Sequence, residues 1–145
     1  MPRNVFVFCG NPVEGSFCSE IAKQYVASAT AAGHACRAMS VGEMKFDPNL
    51  RYGYHQRMEL EPDLLAAQEG IRWAEHLVFI YPTWWGSMPA LMKGFVDRTF
   101  LPEFAFRYKP GSVFWDKLLK GRSARLIVTM DAPWWWDTLV NGSTS

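Results

Sequence analysis

A chain of 145 residues, 49% of them hydrophobic and 20% charged, is long enough for one domain with one buried core and too apolar to be disordered. Its formal net charge of +1 gives no reason to predict a nucleic-acid partner or an anionic membrane surface. The three cysteines lack a C-x-x-C spacing, which predicts reduced thiols in the cytoplasm rather than a disulfide framework or a zinc site. No apolar run approaches the length of a membrane span, so we expect no membrane insertion.

The first part of the chain predicts a strand, a helix and a second strand. Residues 5–9 form a continuous apolar run, which is typical of a strand buried on both faces. A helix follows, with Ser16 as its N-cap, apolar residues at helical spacing, and Gly33 just beyond its end. Residues 34–41 indicate a weaker second strand, and residues 42–60 a long excursion rich in turn residues.

The remaining elements continue the alternation of helix and strand. A second helix begins near Pro62, and residues 76–81 form another apolar run typical of a buried strand. Pro89 opens a third helix, residues 101–122 read as a long aromatic-rich loop, and residues 125–129 predict a fourth strand. Alternating strands and helices predict an α/β fold, with one parallel sheet between two layers of helices.

Three turns are the candidate sites, because ligands of an open parallel sheet bind beyond the carboxyl ends of its strands. They are residues 10–17, 82–87 and 129–136. The first turn ends at a helix start, where free N–H groups and the helix dipole favour an anion such as phosphate. It matches neither the G-x-G-x-x-G nor the P-loop pattern, which disfavours those two modes of nucleotide binding.

The other two turns are rich in tryptophan. Trp84 and Trp85 follow the third strand, and because both cannot face the core, at least one must meet a ligand, a partner chain or solvent. We favour a ligand there, with a subunit interface as the alternative. Residues 134–136 are three consecutive tryptophans, for which a pocket wall and an interface stay equally open.

The sequence gives little support for a hydrolase nucleophile, a metal site or a reactive cysteine. There is no G-x-S-x-G elbow, and His34, His55 and His76 are too scattered to hold a metal. His34 and His76 stand at strand entrances, opposite the expected site, and are interpreted as structural. Cys9 is interpreted as a small buried hydrophobe, and Cys18 as a packing residue, although a helix start can lower a thiol pKa.

Two stretches resemble the NAD(P)H:quinone oxidoreductase family. Asn11-Pro12 with Ser16-Phe17 resembles its H-P-x-x-x-S-F-N turn. Residues 81–100 resemble its signature P-x-x-W-x-x-x-P-A-x-x-K-G-[WF]-x-[DE]-R-x-F, and the matches keep their order from residue 4 to about 136. The resemblance implies a single flavodoxin-like domain over residues 1–145, with strand order 2-1-3-4. The fifth strand would be missing, because the chain would lack about the C-terminal quarter of the family's length.

The resemblance also implies an activity. Family members bind FAD, with FMN as the other possibility, usually as homodimers, and transfer a hydride from NAD(P)H through the flavin to a quinone. It implies no metal. Tyr108 would help shape the shared nicotinamide and quinone pocket and is the residue assigned to catalysis. The flavin contacts would come from Asn11, Ser16, Phe17, Cys18, Pro82, Thr83, Trp84, Trp85, Gly86, Thr129 and Asp131.

Departures from the family pattern keep alternatives open. Asn11 replaces the family's His and Cys18 its usual Asn, so we expect weaker phosphate contacts. Asp131-Ala132 replaces a glycine pair, and a carboxylate there would disfavour an anionic reduced flavin. One alternative is a flavin-binding ancillary subunit of a potassium-efflux transporter, and another is a flavin-free remnant. An electron-transfer flavodoxin is disfavoured by the near-neutral charge.

Overall fold

The structure is a computed structural model that describes residues 1–111, 113–133 and 135. No helix in this part of the chain is long and apolar enough to cross a bilayer. In chain order the elements are β1 (Asn4–Cys9), α1 (Phe17–Ala31), β2 (Ala35–Ser40), a 3-10 turn (Val41–Glu43), α2 (Pro62–Trp73), β3 (His76–Pro82), α3 (Ala90–Thr99), β4 (Phe106–Tyr108), β5 (Trp115–Lys117) and β6 (Ser123–Thr129).

The main sheet confirms the predicted α/β architecture. Its four strands are all parallel and lie in the order β2-β1-β3-β6, so that β6 is the fourth strand of the predicted 2-1-3-4 arrangement. Each crossover carries at least one helix, as parallel pairing requires. The order reverses between β1 and β3, and the turns after these two strands therefore lie side by side.

Side chains on both faces of the two central strands, β1 and β3, are buried, which explains the continuous apolar run of β1. Small aliphatic and thiol groups face α1, whereas aromatic rings face α2 and α3. Phe8 stacks on Phe95 of α3, with ring centroids 4.0 Å apart. The α1 side contains Val5, Val7, Cys9, Cys18, Ala22, Val78 and Ile80, and the other side contains Phe6, Phe8, Leu64, Ile71, Phe79 and Phe95.

The helix boundaries follow the predicted caps. Ser16 Oγ accepts a hydrogen bond from the Ser19 N–H at 3.3 Å, which satisfies one of the free donors of α1. Gly33 follows the helix with φ of 87°, a conformation that favours glycine. Pro62 is the first residue of α2, and Pro89 precedes α3.

A buried arginine fixes the excursion between the 3-10 turn and α2, which we call the strap (residues 44–61). Arg98 of α3 has no solvent exposure. Its Nη2 donates to Glu61 Oε2 at 2.9 Å and to the Glu59 carbonyl at 2.8 Å, and its Nη1 donates to the Asp47 carbonyl. Burial opposes ionisation of Glu61, yet hydrogen bonds from the Asp47 N–H and from Arg98 keep the pKa of Glu61 below its ordinary value.

The prediction of an irregular loop over residues 101–122 is wrong. β4 and β5 form an antiparallel hairpin there, with Tyr108 opposite Trp115. Strands of three residues are too short to show an alternating pattern in the sequence. Phe106 and Tyr108 share one face of the hairpin, with centroids 5.3 Å apart, and Tyr54 of the strap packs edge-on against Phe106 at 6.5 Å.

Replacing Arg98 should destabilise the whole domain. Arg98→Met keeps the apolar bulk but leaves the Glu61 carboxylate and two strap carbonyls without their donor, which should lower the free energy of unfolding by about 3–5 kcal/mol in urea titrations. Arg107→Met is the matched control, because the Arg107–Glu103 pair at 2.7 Å is exposed and should contribute less than about 1 kcal/mol. Equal losses in the two variants would contradict this role for Arg98.

Candidate active site at the carboxyl edge of the sheet

Backbone hydrogen bonds bring the three predicted turns together at one edge of the sheet. The Gly10 N–H donates to the Ile80 carbonyl at 2.7 Å, which ties the first turn to β3. The Thr83 N–H donates to the Thr129 carbonyl at 2.8 Å, which ties the second turn to the end of β6. A side-chain hydrogen bond of 3.3 Å between Cys18 Sγ and Thr129 Oγ1 joins the start of α1 to the end of β6.

The first turn is held rigidly before α1 begins. Asn11 is buried, and its Oδ1 accepts the Val13 N–H at 3.0 Å, so its Nδ2 is the side-chain donor still open to a ligand. Gly10 is closely packed, since a Cβ there would overlap Met92 Sδ and approach Tyr81 Cβ to 3.1 Å. The shape of this turn is therefore fixed by its neighbours rather than by a ligand.

The start of α1 offers an anion two main-chain donors. Ser16 Oγ accepts a hydrogen bond from the Ser19 N–H, and the Ser16 carbonyl accepts one from the Glu20 N–H at 3.1 Å. The N–H groups of Phe17 and Cys18 have no acceptor among the described residues. Because the Cys18 thiol is buried against Thr129, this residue presents its backbone rather than its sulfur. Two free donors at the positive end of a helix suit a phosphate.

The second turn is a tight two-residue hairpin that displays tryptophan. The Trp84 N–H donates to the Ser87 carbonyl at 2.8 Å, and the Ser87 N–H donates back to the Trp84 carbonyl at 3.1 Å. Trp85 and Gly86 between them have φ of 51° and 71°, as in a type I′ turn. A left-handed tryptophan is strained, and such strain is often found at functional sites. Trp85 is fully exposed and Trp84 is 45% exposed.

The hydrogen bonds of the second turn leave only some of its main-chain N–H groups available to a ligand. Flavin contacts were expected from Pro82, Thr83, Trp84 and Trp85. Pro82 has no main-chain N–H, and the N–H groups of Thr83 and Trp84 are used by Thr129 and Ser87. The N–H groups of Trp85 and Gly86 have no acceptor among the described residues, so these two donors remain for a ligand.

The third turn contributes Thr129, which hydrogen-bonds to both other turns, and the charged residue Asp131. Thr129 binds both other turns, through its carbonyl to Thr83 and through its hydroxyl to Cys18. Asp131 is exposed beside it. Of the predicted tryptophan wall, Trp135 is half exposed, while Trp134 and Trp136 lie outside the described residues.

Tyr108 belongs to the β4–β5 hairpin and not to any of these three turns. It is 60% exposed on the β4–β5 hairpin, and its ring contact is with Phe106. Among the described residues, no contact joins it to the carboxyl-edge turns. Sequence reasoning missed Tyr54, which reaches Phe106 from the strap only because Arg98 anchors that segment, and no local pattern could have revealed this contact.

The parallel sheet in the order β2-β1-β3-β6, with free main-chain donors and an exposed aromatic surface at its switch point, is typical of a flavodoxin-like α/β protein. Residues 3–141 match the family model of Flavodoxin_2, described as a flavodoxin-like fold, and the chain belongs to this family. The prediction of a flavodoxin-like fold related to quinone reductases is thereby confirmed.

Several named proteins are similar to this chain. Human ribosyldihydronicotinamide dehydrogenase (quinone) is 39% identical over 94 residues, which are 63% of this chain and 39% of that protein. Rat NAD(P)H dehydrogenase (quinone) 1 is 31% identical over 72 residues, 46% of this chain and 26% of that protein. The matches thus span less than two fifths of these relatives' length.

Solved structures agree on the fold. Smu.1420 from Streptococcus mutans UA159 superposes with a TM-score of 0.78 at 34% identity, covering 94% of this chain and 72% of that one. An NAD(P)H:quinone oxidoreductase from Methanothermobacter marburgensis superposes with a TM-score of 0.81 over 98% of this chain and 73% of that one. At 23% identity, the second likeness shows the fold alone.

The three thiols should differ sharply in reactivity. Burial, reinforced by nearby Cys18 and opposed by the Asn11 N–H, raises the pKa of the Cys9 thiol. Cys18 is also buried, whereas Cys36 on the edge strand β2 is partly exposed. A thiol reagent at neutral pH should therefore label Cys36 first, because attack requires an accessible thiolate. Cys36→Ser should remove the fast phase; a fast phase that survived would show that Cys9 or Cys18 is accessible.

Proposed function

We propose that this protein is a flavin-dependent NAD(P)H:quinone oxidoreductase that moves a hydride from NAD(P)H through the flavin to a quinone-like acceptor. The observation that carries the proposal is the convergence of two features at one sheet edge. These are the unpaired donors of Phe17 and Cys18 and the exposed rings of Trp84 and Trp85. The names of the human and rat relatives, both quinone dehydrogenases, support it.

The residues present fit a flavin. A phosphate would lie at the α1 N-terminus, bound by the N–H groups of Phe17 and Cys18, with the Ser16 hydroxyl and Asn11 Nδ2 alongside. We propose FAD, because the first turn resembles that of quinone reductases. FMN is the other candidate, since an FMN-dependent NADH-azoreductase from Bacillus anthracis, 17% identical to this chain, was solved in complex with FMN.

The ring would lie against the tryptophan turn. Trp84 and Trp85 supply flat apolar surface, and the N–H groups of Trp85 and Gly86 can bind the polar edge of a heterocycle. Thr129 and Asp131 border the same space, where the Asp131 carboxylate would disfavour negative charge on a bound ring. When bound, the flavin supplies the hydride-accepting chemistry. The chain's own residues position it and exclude water, so no protein acid or base is required.

We further propose that the working form is a homodimer. In one copy, Trp85 is fully exposed and Tyr108 is 60% exposed, so both rings are free to contact a second copy. A second copy would cover the tryptophan turn and bring its own Tyr108 toward the nicotinamide and quinone pocket. Three free thiols, two of them buried, suit the reducing cytoplasm, which we propose as the location.

Flavin binding should depend on Trp85. Trp85→Ala removes an exposed ring from the proposed stacking surface, which should raise the Kd for FAD or FMN about threefold to tenfold, equivalent to about 0.5–1.5 kcal/mol. Quenching of flavin fluorescence measures this in the purified protein. Tyr52→Ala is the matched control, because Tyr52 is also an exposed ring but lies on the strap.

The outcomes separate the candidate functions. Flavin that is bleached by NADPH and recovered by a quinone supports the enzyme. Flavin that binds without NAD(P)H turnover contradicts the enzyme and favours the ancillary-subunit alternative. Absence of flavin binding, with the fold intact by circular dichroism, contradicts both.

Tyr108 should affect turnover rather than flavin affinity. Tyr108→Ala should lower kcat/KM for the quinone by about tenfold, mainly through KM, and leave the flavin Kd unchanged, because the side chain would contact substrate rather than cofactor. Arg107→Ala is the control, since neighbouring strand residues point to opposite faces. A changed flavin Kd with unchanged kcat/KM would contradict this role.

A further inference from the structure

A second cavity opens at the amino-terminal edge of the sheet, opposite the site described above. It has a volume of about 250 Å3 and is lined by Arg3, Val5, Tyr25, Ala29, His34 and His76. We call it the amino-edge pocket. His76 begins β3 and Pro82 ends it, so the two sites are separated by the length of that strand, about 20 Å at 3.3 Å per residue. The proposed flavin chemistry uses none of these residues.

Hydrogen bonds orient the polar groups of this pocket. The Arg3 N–H donates to His34 Nδ1 at 3.1 Å, so neutral His34 holds its proton on Nε2 and keeps a donor there. His76 is fixed at both ring nitrogens, with Nδ1 2.7 Å from Ser123 Oγ and Nε2 3.3 Å from the Tyr25 hydroxyl. The side chains are therefore held in place although the pocket contains no acidic residue.

Several cationic and imidazole groups lie around the pocket. The Arg125 guanidinium stands 6.0 Å over the Tyr25 ring. Neither Arg3 nor Arg125 forms an ion pair with a carboxylate among the described residues. The nearby Glu75 carboxylate accepts the Asn4 N–H at 3.0 Å instead. Burial lowers the pKa of His76, and the positive charges of Arg125, Arg3 and His34 lower it further.

We propose that the amino-edge pocket binds a small phosphate-type oxyanion through Arg3 and His34, with Arg125 reaching the anion from beside Tyr25. Two guanidinium groups, a free imidazole N–H and a hydroxyl are the donors that phosphate prefers. A cavity of about 250 Å3 admits one such group. Bound phosphate would also replace repulsion among the cations by attraction.

The neighbouring surface distinguishes two sources of the phosphate. A mostly apolar groove on α1 shares Tyr25, Ala29 and His34 with the pocket and continues past Ile21 and Ala32. An organic phosphate could place its apolar part in this groove, whereas inorganic phosphate would use the pocket alone. Tighter binding of phenyl phosphate than of inorganic phosphate would indicate an organic ester, and equal binding would indicate the free ion. Both results support the pocket.

Histidine-ring NMR on the full chain tests the proposal without any flavin or turnover. Inorganic phosphate, added at constant ionic strength against chloride, should shift the His34 and His76 rings saturably and leave His55 in place. It should also raise the titration midpoint of His76, because an anion favours the charged ring. Since the readout does not involve flavin, its failure would leave the proposed oxidoreductase untouched.

Variants make the result specific. Arg3→Gln and Arg125→Gln should each weaken phosphate binding about tenfold or more, since each removes a charge-assisted hydrogen bond. Both arginines are exposed, so the fold should be retained. Arg51→Gln removes the same charge from the strap and should change nothing. Absence of a saturable shift, or equal binding by all variants, would show an adventitious ion only and overturn the proposal.

Discussion

The register of three parallel strands is the constraint on which the rest of this protein depends. Cys9 of β1 stands beside Ile80 of β3, and Ile80 stands beside Ile127 of β6. Because the strands are parallel and in register, they all end at the same edge of the sheet, and the turn that follows each strand lies there. The free N–H groups at the start of α1 and the tryptophan hairpin lie at the same edge for that reason, and the Thr83–Thr129 hydrogen bond of 2.8 Å joins the hairpin to the end of β6.

The same register explains the basic pocket at the other edge. Val5, His76 and Ser123 are consecutive partners across the three strands, so the residues that begin these strands also lie side by side. Strand entrances usually carry structural residues, and His34 and His76 were interpreted in that way from their positions in the chain. The structure groups them in one cavity with Arg3, which forms no ion pair with a carboxylate among the described residues, and an interpretation of single positions could not show this grouping.

The sheet could be predicted from the sequence because its signals are local. Long apolar runs, Ser16 before a helix and Gly33 after it each act over a few residues, and all were confirmed. What could not be predicted depends on contacts distant in sequence. Arg98 binds a strap 37 residues away at Glu61, and the N–H groups of Thr83 and Trp84 are consumed by partners that only the folded chain supplies. The residue types of the site were therefore visible, but not which of their donors stay free.

A crystal structure of the chain grown with excess FAD or FMN tests the central claim most directly. We expect the flavin ring to lie on Trp84 and Trp85. We expect a flavin phosphate to accept hydrogen bonds from the N–H groups of Phe17 and Cys18. Both tryptophans folded back onto protein, with no flavin at the carboxyl edge, would contradict the account.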